Sequence, residues 1–193
     1  MTTLVDIDDF KNYVRDQVST DDATTQAALD AATVMVADFC QRDFALAGTA
    51  TARSYTPPTS DTQVLRIHDC TTITSVVEDG ATLSAGAYQA EPVNLVSWSG
   101  LTRPIEQLRR YGTPWFYNQG RSTVVVTATW GWSAVPASVV DATKIIAKDI
   151  LVQRNNNSGV AGFGEFGAVR VRMNPIAIDL LRPLRRVEAF GVA

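Results

Sequence analysis

Cysteine and histidine are nearly absent from this sequence: Cys40, Cys70 and His68 are the only residues of either kind. Two thiols make no disulfide framework, and with one imidazole they are too few for a structural zinc site. Both are expected as buried, reduced thiols of a protein made in a cytoplasm. Long apolar runs are missing too. None approaches the roughly eighteen residues that span a bilayer, so no membrane partner is expected. The chain opens Met1-Thr2-Thr3-Leu4-Val5-Asp6, acidic where a secretory signal would be basic, so export by that route is not expected. Catalytic groups do not converge. His68 precedes Asp69 on an expected strand, where neighbours point to opposite faces, and a His68–Cys70 pair lacks an orienting third group. No metal spacing, phosphate loop or nucleophile elbow is present. The reading is of a protein that is not an enzyme, with no cofactor and no metal.

What is present is apolar. With 46% hydrophobic residues in 193, the chain can bury one good core, and a single domain is expected. The net charge of −3 hides an asymmetry. Residues 1–50 hold nine aspartates against Lys11, Arg15 and Arg42, a net of −6. From Ala168 onward Arg170, Arg172, Arg182, Arg185 and Arg186 face Asp179 and Glu188, a net of +3. An acidic head and a basic tail favour contact between copies or docking to a partner of opposite sign; two solvated charged faces are the plain alternative.

The stretch from Ser122 to Asn157 organises the chain. Thr123–Trp130 is β-branched almost throughout and reads as a largely buried strand. Gly131 frees the backbone at the turn. Pro136 suits the first helical position, and the helix then runs to about Arg154. Val139, Ala142, Ile146 and Ile150 form its main stripe, flanked by Val140, Ala147 and Leu151, while Asp141, Lys144 and Lys148 hold the far side. Ile145 and Val152 fall outside that stripe, and leaving each exposed would forgo roughly 1.5–3 kcal/mol. A second partner for this edge is expected, from this chain or a neighbouring copy.

Ahead of this stretch, Asp6 caps a short helix carrying Ile7, Phe10, Val14 and Val18. Thr20-Asp21-Asp22 caps a longer one ending near Cys40, with a stripe of Thr25, Leu29, Ala32, Val36 and Phe39. Ala27, Ala31 and Val34 make a second, small-residue face that admits a close neighbour. From Thr49 to Trp130 the period drops to two. The expected strands are Ala52–Thr56, Val64–His68, Ile73–Glu78, Ala81–Ser84, Tyr88–Ala90, Asn94–Trp98 and Pro104–Leu108, with a hairpin at Asp79-Gly80. Arg109-Arg110-Tyr111 and Trp115-Phe116-Tyr117 invite a nucleic-acid reading, although such clusters more often close one end of a β-structure. Asn155–Gly167 is an irregular loop expected to be mobile and to order on assembly. Its Gly162-Phe163-Gly164-Glu165-Phe166-Gly167 lacks the strand-before, helix-after setting of a dinucleotide site. Asn174-Pro175 starts a last helix with Ile176, Leu180, Leu184 and Val187 on one side and Leu181 beside it, broken near Leu181-Arg182 by Pro183. The fold class read here is α+β: a helical bundle (two N-terminal helices, a long central helix, a C-terminal helix) with an inserted, mainly antiparallel β-rich region. Its parts are 1–45 helical, 50–130 β-rich, 136–154 long helix, 155–173 mobile loop and 174–193 docking tail.

Gly131-Trp132-Ser133-Ala134-Val135-Pro136-Ala137-Ser138-Val139-Val140-Asp141-Ala142, with an aliphatic helix ending near Arg154-Asn155, resembles the signature region of the head-to-tail connector (adaptor) proteins of tailed bacteriophages. Trp132 stands where that family usually has Tyr. Cys40-Gln41-Arg42-Asp43-Phe44 is similar to the family's ending of its second helix. Arg53-x-Tyr55, Ile73-Thr74-Ser75-Val76, Asp79-Gly80 and Tyr88 follow in the family's order, so the likeness spans most of the chain. It implies a virion structural protein of the neck: a ring, dodecameric in the virion, beneath the portal protein. Such a ring extends the channel for genomic DNA without reading its sequence and joins the head to the tail or to a stopper or tail-completion protein. Another neck component, or a nucleic-acid-binding module using Arg109, Arg110 and Trp115, are the alternatives. The residues expected to meet the portal or a neighbouring subunit are Ile145, Val152, Leu180, Leu181, Arg182, Leu184, Arg185 and Arg186. Deleting Asn174–Ala193 is expected to leave a folded monomer that no longer joins the neck.

Overall fold

The computed structural model describes residues 3–15, 21–97, 100–155 and 174–186. Val18, Trp98, Val187 and most of the expected mobile loop, with its glycine motif, lie outside the described residues. The chain divides into two compact units, one holding the helices and the other built on Asp43–Ala134.

The helical unit begins with α1 (Ile7–Val14), whose Asp6 side chain accepts from the Asp8 amide, and α2 (Asp22–Cys40), capped by Asp21 accepting from Thr24. These are the caps expected from sequence. They satisfy donors that the first helical turn otherwise leaves open. Helix α3 (Ala137–Asn155) starts one residue later than expected: Pro136 stays outside, and its carbonyl accepts from Val139 and Val140. Helix α4 (Pro175–Leu181) has Asn174 as its cap and runs into a 3₁₀ turn at Arg182–Leu184, so the chain tightens at Pro183 as expected. Helix α3 packs against both α2 and α4. The core between them is Leu29, Ala32 and Val36 from α2, Val139, Ala142, Ile146, Ala147 and Leu151 from α3, and Ala177 and Leu181 from α4. Thr143, also buried, returns its hydroxyl to the Val139 carbonyl at 2.7 Å.

The second unit is a six-stranded antiparallel sheet of β1 (Thr51–Tyr55), β2 (Val64–Glu78), β3 (Ala81–Thr82), β4 (Tyr88–Glu91), β5 (Ile105–Arg110) and β6 (Val124–Trp130). The strand order is β1-β6-β2-β5-β4, with β3 paired to β2. Strand β6 alternates Val124, Val126, Ala128 and Trp130 into the core. Two expected strands, Val64–His68 and Ile73–Glu78, are one. Nothing in Asp69-Cys70-Thr71-Thr72 breaks a strand, so the chain runs on through a shift of register, pairing β5 with its first half and β6 with its second. Of the expected strand Asn94–Trp98, the described residues 94–97 form no strand; an isolated bridge joins Val96 to Thr102. The hairpin at Asp79-Gly80 forms with both residues at positive φ.

The α+β class stands, but the helical bundle with an inserted β-region does not. Among the described residues the fold is β-rich, mainly the six-stranded antiparallel sheet with four α-helices, and α1 and α4 have only 8 and 7 residues. The sheet also has its own core of Leu65, Ile67, Val76, Leu108, Val124 and Val126. Helical periodicity is conspicuous in sequence, whereas the pairing that makes short strands one sheet is long-range and leaves little local signal.

A charged cross-strand pair ties β4 to β5. Glu91 accepts from Arg109 Nε at 2.8 Å and from Gln107 Nε2 at 2.6 Å, and the Arg109 bond in particular holds the Glu91 carboxyl below its ordinary 4.5. A carboxylate with a depressed folded pKa contributes stability that is present above its unfolded pKa and is lost as pH falls through the folded one. Wild-type stability is therefore expected to fall below about pH 4.5, and Glu91→Gln to flatten that limb in urea melts between pH 7 and pH 3.

Candidate assembly surfaces

The expected interface residues separate into three groups. Leu181 and Leu184 are buried in the helical unit's own core, which removes them from any docking surface. The tail does dock, but onto its own chain. Arg42 Nε donates to the Leu184 carbonyl at 2.8 Å, the Arg186 amide donates to the Cys40 carbonyl at 2.9 Å, and the Arg185 guanidinium lies 5.6 Å from the Phe39 ring centroid. Deleting Asn174–Ala193 would therefore empty core positions, so a cleanly folded monomer is no longer the expected product. Ile145, Leu180 and Arg186 are half-buried. Val152, Arg182 and Arg185 are exposed, and Arg182 pairs with Asp179 at 3.3 Å.

Ile145, Asp149 and Val152 share one line on α3, at spacings of four and three. Asn174 Nδ2 donates to Asp149 Oδ2 at 3.1 Å, which fixes the start of α4 beside that line. Ile176, grouped by its sequence period with Leu180 and Leu184, is 64% exposed, because Ala177, Leu181 and Leu184 take the inward positions. Apolar side chains are thus left to solvent on both helices, Val152 on α3 at 38% exposure and Ile176 on α4. Lys144, Lys148 and Arg154 lie on α3.

Helix α2 presents an exposed apolar face. It turns Thr25, Leu29, Ala32 and Val36 inward and leaves Ala27, Ala31, Val34 and Met35 exposed, Val34 at 45% and Met35 at 40%. Three of these four form the small-residue face read from sequence; Met35 was not foreseen there. The helix carries Asp22, Asp30 and Asp38 and no basic residue.

The sheet unit bears on the nucleic-acid alternative. Trp115 is buried, its indole donating to the Gln63 carbonyl, so it cannot stack on a base. Arg109 is engaged by Glu91, and Arg110 forms a nearly buried pair with Glu78 at 3.1 Å. The side chains that were to bind nucleic acid close the end of the sheet instead. Phe116 and Tyr117 remain exposed there, on a loop held by the Phe116 amide donating to Glu78 Oε1. His68 Nδ1 lies 2.9 Å from the Tyr55 hydroxyl, with its ring edge-on to Trp130. Cys70 is buried, and desolvation pushes its thiol up to about 12, as burial pushes Cys40 to about 11. Among the described residues no group of three or more His, Cys, Asp or Glu is placed to hold a metal, and no helix is long and apolar enough to cross a membrane.

The fold is shared with chains of gene transfer agent (GTA) particles. A chain in the neck of the native GTA particle, computed with C12 symmetry, superposes with a TM-score of 0.58 at 17% identity, over 98% of this chain and 92% of that one. One in the neck of the empty particle, computed with C6 symmetry, gives 0.57 at 15% identity over 98% and 93%. A chain of the native GTA virion gives 0.53 at 19% over 98% and 93%. No protein-family model matches the sequence, and no curated protein matches it. At these identities the likeness is one of fold, and it is consistent with the head-to-tail connector resemblance carried by Gly131–Ala142.

Proposed function

We propose that this chain is a structural component of a virion neck: a head-to-tail adaptor that assembles as a ring beneath the portal protein and extends the DNA channel towards the tail or a stopper. The observation that carries the reading is the superposition on a GTA neck chain over 98% of one chain and 92% of the other, which leaves no large region of either unmatched. The C12 and C6 symmetries of the similar necks support a ring, and twelve copies in the virion is the stoichiometry proposed. The two compact units act together as one connector domain in this reading. The role is mechanical, not catalytic, and the protein is placed in the virion after synthesis in the bacterial host cytoplasm. Genomic DNA passes through the lumen without sequence-specific contact.

The test is removal and add-back. Particles made without this chain are expected to accumulate as filled heads and free tails, counted by negative-stain microscopy, and the purified protein is expected to restore joining. Normal tailed particles from the deletion would refute a neck role. Joining restored with the added protein absent from the neck density would refute the adaptor position.

A further inference from the structure

We draw no further inference here: the strongest candidate, the exposed outer face of α2 formed by Ala27, Ala31, Val34 and Met35, is an unpartnered apolar face, and nothing in the structure shows what covers it.

Discussion

Gly131→Ala is expected to cost the sheet unit about 4 kcal/mol or more, at the top of the range for single substitutions. Gly131 has φ +97°, in the region where an L side chain is strained, and that strain alone is worth about 1–3 kcal/mol. The larger part is steric. A Cβ at this position would lie 1.8 Å from the Ala45 carbonyl oxygen and 2.7 Å from its carbon, and both are backbone atoms with no rotamer to change. Neither side can retreat cheaply. The Gly131 amide donates to the Asp69 carbonyl at 2.7 Å, which holds the turn to β2, and the Ala47 amide donates to the Trp130 carbonyl at 2.8 Å, which holds the Ala45 segment beside it. Next to it, buried Trp132 donates its indole N–H to Asp69 Oδ2 at 2.8 Å and packs its ring against Phe44.

Gly80→Ala is the matched control. Gly80 has φ +81° and nothing within 4 Å of the added carbon, so it carries the strain without the collision. All four tryptophans lie between residues 98 and 132, so indole fluorescence in urea follows the sheet unit. Gly131→Ala should melt at much lower urea than Gly80→Ala. Equal losses from the two variants would mean that the Ala45 segment yields, and the close approach would then carry no energy.

The contrast between Gly131 and its neighbours shows what the chain discloses locally. The turn glycine, the Asp6 and Asn174 caps, the Asp79-Gly80 hairpin and the Pro183 break are each set by residues within a few positions, and each could be read directly. Ile176 could not. Its period put it with Leu180 and Leu184, yet which residues of a seven-residue helix turn inward is decided by α3, not by α4. Leu181 and Leu184 show the same limit from the other side: greasy residues in an arginine-rich tail read as a docking surface until Arg42 and Cys40 are seen to hold that tail on its own subunit. The small-residue face of α2 was legible, because Ala27, Ala31 and Val34 are left over once a core stripe has been assigned. That rule applies wherever a helix has more apolar positions than one face can use.

Arg110→Met is expected to destabilise the sheet unit by about 3–5 kcal/mol, because it leaves the Glu78 carboxylate nearly buried with its cation gone. Arg110 spans three elements. It donates to Glu78 on β2 at 3.1 Å and to the Ala87 carbonyl before β4 at 2.9 Å, and it lies 5.8 Å from the Trp115 ring centroid. The fit is incomplete, since Arg110 Nε is buried without a hydrogen-bond partner. A pair with one unmet donor is costly to desolvate, so its net worth is small even though breaking it is expensive. Glu78→Gln added to Arg110→Met should therefore restore roughly 1–3 kcal/mol, because the amide removes the stranded charge. Its Oε1 can still accept from the Phe116 amide, the bond that holds the loop carrying exposed Phe116 and Tyr117. Urea melts of the two singles and the double close a cycle. A double variant no more stable than Arg110→Met would show that the loss comes from packing against Trp115 and the Ala87 carbonyl, and the charge at Glu78 would have no part in it.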